Sequence, residues 1–465
     1  MISKSFLGLA LLLFLCSGAY AKKPVESVFT ERYATQQILS IEAALARAQA
    51  ELGIIPDWAA EELTNKADSK YVAADDLKKE YQVVRHRMVA LLNVWQRQLD
   101  HGADQYMHFG ATTVDIYDTL LVLQLRASTE HLITAMRDNE QVLIELAKEH
   151  ADTLMIGRTL GQHALPITFG KKVSTWLGEN RRNIERLKRM HQDLSRAAIL
   201  KGAVGSYLGL SDQGMELEQI FSRELGLSPQ PYISDWHGSR DIFAHYGYLL
   251  AMISRSYGRI GQEIFLLQST DVGEVEEIRR KSAVGSSTMP HKKNPSKSEA
   301  LIQYSRSIPR LAEVISDDMI NFYERDNTSR PNRVLEDISI NSEQMLHTAK
   351  ALLSALKIND QTMKNNVMKT NGLVMSQRLV FALAPHLGKT TANDLIHTLA
   401  NQALQENRDL KEFVIARPEI SKVLSDRKID EIFDPTTYTG LAREQTLAVI
   451  DYCLKMRKTD PNTTS

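Results

Sequence analysis

The chain has 465 residues, a formal net charge of −1, and 43% hydrophobic residues. That length buries a large core and divides into two or three domains. With no Lys/Arg-rich block and no basic excess, nothing in it forms an electrostatic footprint for nucleic acid.

The first segment is not structural. Lys4 precedes an apolar run over residues 6–15, and Ala19-Tyr20-Ala21 gives a small-x-small pattern just before Lys22. Residues 1–21 therefore read as a secretory signal peptide, the run being too short to span a bilayer; the alternative is an uncleaved N-terminal anchor. The expected location is the periplasm, with no membrane anchor after cleavage. Cleavage after Ala21 leaves Cys453 as the single thiol, so no internal disulfide is expected.

The rest is helical in pattern. Residues 22–105 read as a small helical N-terminal domain, residues 106–365 as a central helix bundle, and residues 366–458 as a helical C-terminal domain. A polar tail, residues 459–465, is expected to be disordered. In the bundle Leu120, Leu121, Leu125, Leu132, Met136, Leu143 and Leu146 recur at helical spacing, followed by Trp176, Leu177, Ile184, Leu187, Leu194 and Ala198. Further periodic stretches occupy residues 243–267, 300–320 and 338–356. Polar breaks at 153–161, 202–214 and 268–287 separate them, and no period-two runs with hairpin signals compete. Stripes of this kind are core positions, buried best against other helices within a subunit and then between subunits. The fold class is all-α. A periplasmic solute-binding protein, which alternates strands and helices, does not fit.

Six segments carry polar chemistry. Arg85-His86-Arg87 lies in the N-terminal domain. His108-Phe109-Gly110-Ala111-Thr112-Thr113-Val114-Asp115 places two hydroxyls at a helix start, where exposed N–H groups and the dipole attract a carboxylate; alternatively a threonine there is an N-cap and His108 a surface residue. Gly157-Arg158-Thr159-Leu160-Gly161-Gln162-His163 offers neutral donors at Thr159 and Gln162, while His163 serves either the site or packing. In Asp235-Trp236-His237-Gly238-Ser239-Arg240-Asp241, Arg240 is either an anion clamp or a structural partner of Asp241 or Asp235. Gly285-Ser286-Ser287-Thr288-Met289-Pro290-His291-Lys292-Lys293-Asn294-Pro295 is either an anion-binding loop carrying a hydroxyl that fixed ammonium and N–H groups could make a base, or a solvated basic loop followed by an exposed Glu299. Glu324-Arg325-Asp326, with Arg330 and Arg333, is either a polyanion site or a solvated basic turn. No zinc-like His/Cys spacing, Walker loop or dinucleotide fingerprint occurs.

Taken together, three of these segments resemble, in the right order, the signature regions of the fumarase/aspartase superfamily, nearest its carboxymuconate-cycloisomerase and adenylosuccinate-lyase branch. The resemblance implies a homotetramer around a twenty-helix core, with each active site assembled from three subunits. It implies cofactor-free β-elimination, or its lactonising equivalent, on a small polycarboxylate. Ser286 would be the base, Lys292 and Asn294 would hold the carboxylate that becomes an aci-carboxylate dianion, and Glu299 would pair with an active-site histidine. His108 joins these catalytic candidates, and Thr112, Thr113, Thr159, Gln162, His163, His86, Arg240 and Arg325 are the binding candidates. Two departures stand out. Leu160 occupies the place of the histidine that helps protonate the leaving group in many members, as in the cycloisomerases. Arg87 replaces the aspartate of a phosphate-holding Arg-His-Asp run, which disfavours a nucleotide. A rival reading, a retired homologue kept for binding, rests on Leu160 alone.

Overall fold

The computed structural model describes residues 24–228, 237–278, 288–289, 291–329 and 331–460. Expectations placed on residues 1–21, Asp235, Ser286, Ser287 and Arg330 lie outside them. Among the described residues the fold is all-α, with seventeen α-helices and two short antiparallel strand pairs.

The N-terminal helices are α1 (Glu31–Glu51), α2 (Asp57–Asn65), α3 (Ala74–Val84) and α4 (Arg87–Gln96). They enclose a cluster around Leu39, Ile41, Leu45, Leu63 and Trp95. That cluster also takes Ile116 and Leu120 from α5 (Thr113–Glu149), and Leu217 and Phe221 from α7 (Gly214–Glu224). Between α5 and α6 (Phe169–Ser195) runs a hairpin of β1 (Leu154–Thr159) and β2 (Gln162–Thr168). The polar break expected at 153–161 is thus the first half of a ribbon. Its turn, Leu160-Gly161, takes φ of 53° and 77°, which suits Gly161 but not a leucine.

The bundle is completed by α8 (Asp241–Leu267), α9 (Ser296–Ser316) and α10 (Asn332–Leu353). Buried polar ties set its alignment. Tyr246 Oη meets Ser128 Oγ at 2.9 Å and Ser339 Oγ at 2.8 Å, which puts α5, α8 and α10 side by side. Tyr257 Oη donates to Asn180 at 2.7 Å and Lys172 reaches Glu263 at 2.5 Å, so α6 runs antiparallel to α8. Gly258 and Gly261 let α9 press against α8: a Cβ on either would lie 2.2 Å from Ser305 or 2.8 Å from Leu301. The matching approach of Gly247 to Ala312 shows that α9 descends as α8 rises.

β3 (Val275–Glu277) pairs with β4 (Leu356–Ile358) at the end of the bundle where α8 finishes. Then follow α11 (Asp360–Met368), α12 (Ser376–Leu387), α13 (Lys389–Glu406), α14 (Leu410–Ile415), α15 (Pro418–Ser421), α16 (Asp426–Phe433) and α17 (Ala442–Arg457). Helices α11 to α16 share a third cluster around Leu379, Leu383, Leu399 and Ile429. The last helix, grouped from sequence with them, instead lies along α6 and sends Ile450 and Cys453 into the bundle core. Beyond it Asp460, read from sequence as tail, is buried. It accepts from Arg181 at 2.9 Å and from Lys188 at 3.2 Å, and pairs with Arg137 at 3.4 Å. A carboxylate among so many cations cannot be left in solvent without stranding buried guanidinium.

Candidate functional site

The polar candidates fall into two groups at opposite ends of the bundle. At the start of α5, the Asp115 carboxylate accepts the Thr112 N–H at 2.9 Å, which stops the helix from fraying. The same carboxylate, fully buried, accepts the Lys201 N–H at 2.9 Å and the Gly202 N–H at 3.2 Å. It also meets His237 Nε2 at 2.9 Å, while His237 Nδ1 faces Asp118 Oδ2 at 3.2 Å. Both ring nitrogens point at carboxylates, so both must donate, and the ring is an imidazolium. Burial opposes that charge, but the hydrogen bonds to Asp115 and Asp118, and their charges, push the His237 pKa up to about 9. Asp118 is held below its ordinary value: its burial is outweighed by His237 and Arg240.

Because the folded pKa of His237 is raised from 6.5 to about 9, its stabilisation is complete below the unfolded value and is lost as pH rises through the folded one. The expected result is a melting temperature that falls from pH 7 to pH 10, with a smaller fall over that interval in His237→Gln. Equal slopes in the two proteins would remove His237 from this role.

Arg240 belongs to the same knot. It donates to Asp118 at 2.9 Å and to Asp318 at 2.7 Å, and lies over the Phe243 ring at 4.5 Å from its centre. Its described partners are therefore Asp118 and Asp318, not Asp241, and its guanidinium ties α5, α8 and the end of α9 together. Thr112 and Thr113 sit half-buried beside this knot, Thr112 as the N-cap residue. His108, four residues earlier, turns Nδ1 onto Glu42 of α1 at 2.7 Å. Arg325 belongs to this end, since Asn321 Nδ2 donates to the Gly238 carbonyl at 3.1 Å. His86 is exposed and accepts the Val89 N–H at 3.3 Å as the N-cap of α4. Its neighbour Arg87 acts electrostatically on Tyr117.

At the other end, Glu277 of β3 fixes the start of α9. Its buried carboxylate accepts the Lys297 N–H at 3.1 Å, the Ser298 N–H at 2.9 Å and the Ser298 hydroxyl at 2.6 Å. Gln268 of the α8 terminus donates to the Lys293 carbonyl at 3.0 Å, and Lys293 pairs with Glu276. These anchors leave the Lys292 side chain exposed and Asn294 half-buried just ahead of α9, where helix N–H groups favour an anion. Glu299, in the first turn of α9, is exposed.

The hairpin lies at this end too. Arg158 grips the buried Glu274 at 2.6 and 3.0 Å, and Asn366 donates to the same carboxylate at 2.7 Å. Thr159 and Gln162 are exposed at the tip, and Leu160 is fully so. His163 is half-buried with Nδ1 sealed from solvent and unpartnered; burial, then the Arg158 charge, holds its pKa below the ordinary value. Among the described residues no three His, Cys, Asp or Glu side chains gather as a metal-holding group.

Within one chain the two groups do not meet. Helix α8 has 27 residues, so the two ends stand about 40 Å apart at ~1.5 Å per residue. His108, Thr112, Thr113, Arg325 and His86 lie at one end, and Thr159, Gln162, His163, Lys292, Asn294 and Glu299 at the other. Reading the sequence alone passes over Glu42, Asp115, Asp118, Glu274 and Glu277. Only Asp115 carries a local signal there, three residues after Thr112 at a helix start.

Comparison with known proteins adds to this geometry. Residues 19–309 match the family described as Lyase, and residues 372–449 match the family described as Adenylosuccinate lyase C-terminus. An adenylosuccinate lyase of Methanocaldococcus jannaschii is 33% identical over 443 residues, covering 94% of this chain and 95% of that protein. An N-acetyl-S-(2-succino)cysteine lyase of Dickeya dadantii is 34% identical, covering 94% and 96%. Among solved structures, the 3-carboxy-cis,cis-muconate lactonizing enzyme of Pseudomonas putida superposes with a TM-score of 0.83 at 29% identity, covering 93% of this chain and 97% of that one.

Proposed function

Because this chain belongs to the fumarase/aspartase superfamily of lyases, on the branch of the adenylosuccinate lyases and carboxymuconate cycloisomerases, we propose that it eliminates a group from a small succinyl-type polycarboxylate. Ser286 takes the proton from the carbon α to one carboxylate. Lys292 and Asn294 hold that carboxylate as it becomes an aci-carboxylate dianion, and Thr112 and Thr113 hold the other. The departing group leaves the neighbouring carbon, and the unsaturated acid remains. Carbon acids beside a carboxylate ionise only where fixed positive charge and donors stand ready, and the start of α9 offers both.

The observation that carries this reading is the separation of the two ends. A dianion clamp needs the threonine pair and the lysine within a few ångströms of one substrate, and α8 holds them about 40 Å apart in a single chain. The reading accordingly has the site completed between copies, and the resemblance to the family supplies the form of that assembly: a homotetramer whose sites draw on three subunits. Exposed Tyr248, Met252, Phe265 and Leu266 on α8, with Val314 on α9, supply apolar surface for that assembly.

A carboxylated acid smaller than adenylosuccinate fits best, since Arg87 stands where a phosphate-holding aspartate is expected. The C-terminal match over residues 372–449 favours one second reading, a C–N lyase that releases fumarate. Both are tested by incubating purified protein with N- and S-succinyl adducts, fumarate plus amines, aconitates and carboxymuconates, following ultraviolet absorbance. Turnover of at least one succinyl adduct or carboxymuconate is expected. Silence across the whole panel would sink the proposal. Export belongs to the same proposal, supported by Lys4, the apolar residues 6–15 and Ala19-Tyr20-Ala21; the mature protein should begin at Lys22 on N-terminal sequencing.

A further inference from the structure

We propose that Glu42 is a positioning residue that presents His108 as the proton donor to the leaving group, in place of the side chain that Leu160 cannot provide. The inference rests on the elimination chemistry proposed above. Leucine has no proton to give, and the hairpin tip carries it into solvent.

His108 is built for the task. Glu42 Oε1 stands 2.7 Å from Nδ1, and the carboxylate is 1% exposed while the ring is 18% exposed. The other oxygen of Glu42 is buried without a partner, so its charge is spent on this one ring. With Nδ1 donating to α1, Nε2 necessarily faces away from that helix, on the loop that leads into Thr112. Gln49, seven residues along the same face of α1, donates to the Phe109 carbonyl at 2.7 Å and pins the next peptide. Gly110 then sits so close to the Gly209 carbonyl that an added Cβ would lie 2.2 Å from it. His108 itself has φ of 56°, a conformation that costs a non-glycine residue about 1 kcal/mol and persists only where its surroundings enforce it.

The surrounding charges favour the acid form. Burial disfavours it, but the hydrogen bond and charge of Glu42 from α1, joined by Asp115 from α5, hold the His108 pKa above its ordinary value. The loop packed on Gly110 brings Lys201 and Tyr207, yet both are engaged by Glu218, at 3.0 and 2.6 Å. In the step itself, the electron pair of the aci-carboxylate forms the carbon–carbon double bond. The bond to the leaving heteroatom breaks with its pair on that atom, and the Nε2 proton passes to it. Neutral imidazole is reprotonated from solvent.

The test compares Glu42→Gln and His108→Gln with the parent tetramer on two succinyl adducts, one with an amine leaving group and one with a thiol. An amine must be protonated to depart, whereas a thiolate of pKa about 8.5 leaves unaided. Both variants should lose roughly a hundredfold in kcat/KM on the amine adduct and much less on the thiol adduct. Glu42→Gln should also move the alkaline limb of the pH profile downward. Equal losses on both adducts with an unmoved profile would overturn the proposal and leave Glu42 a packing residue. Independently of turnover, His108 labelled at its ring carbon should titrate lower in Glu42→Gln than in the parent; an unchanged titration overturns the proposal too. A parent that processes neither adduct, yet shows that shift, would instead count against the elimination reading.

Discussion

Chains carrying Thr113→Ala and chains carrying Lys292→Ala should each be inactive alone and regain turnover when dissociated and reassembled together. The two positions lie at opposite ends of α8, so a shared site takes one end from one copy and the other end from a second. Random mixing leaves roughly a quarter of the sites with both ends intact, and restored activity should approach that fraction. Thr113 is chosen because Thr112 caps α5 and its loss would disturb the helix start. Reassembled mixtures no more active than the separate proteins would refute sharing. Size-exclusion chromatography before and after mixing checks that exchange took place.

Ser286→Ala should abolish turnover, by roughly a thousandfold or more, while circular dichroism and the melting temperature stay as in the parent. A hydroxyl becomes a competent base only if its alkoxide is stabilised, and the Lys292 ammonium and the N–H groups opening α9 are the means proposed here. Lys292→Ala should follow it, with a loss of about a hundredfold to a thousandfold, because it removes the charge that faces the dianion. Its anchor is separate: Glu277 holds the helix start through Lys297 and Ser298, so Lys292 can be changed without unravelling α9. Substantial activity in Ser286→Ala would assign the base to another group.

The long helices were legible because apolar stripes of period 3.6 run for many turns through α5, α6, α8, α9 and α10. The hairpin was not. Pro166 and Gly157 interrupt its short strands, so no period-two pattern stands out, and what holds the ribbon is distant in sequence: Met155 and Ile156 bury in two separate clusters while Arg158 grips Glu274. The local half of the proposed site rests on motifs alone, since Thr112-Thr113 and Lys292 to Asn294 lie in continuous segments. The supporting half could not be read that way, because Glu42 and His108 are 66 residues apart and His237 and Asp115 are 122 apart. The role of Arg240 shows the same limit: the distant Asp118 and Asp318 claim its guanidinium, and nothing in the neighbouring sequence points to them.

The carboxylate of Asp460 makes a residue outside every helix part of the bundle's internal charge balance. Without it, Arg181 and Arg137 stand in the bundle flank short of one counter-charge, and Arg457 alone, through Glu140, would tie the last turn of α17 to the bundle's charges. A break in the chain between α17 and this residue would open the same vacancy, so the molecule's durability is staked on the three residues that follow that helix.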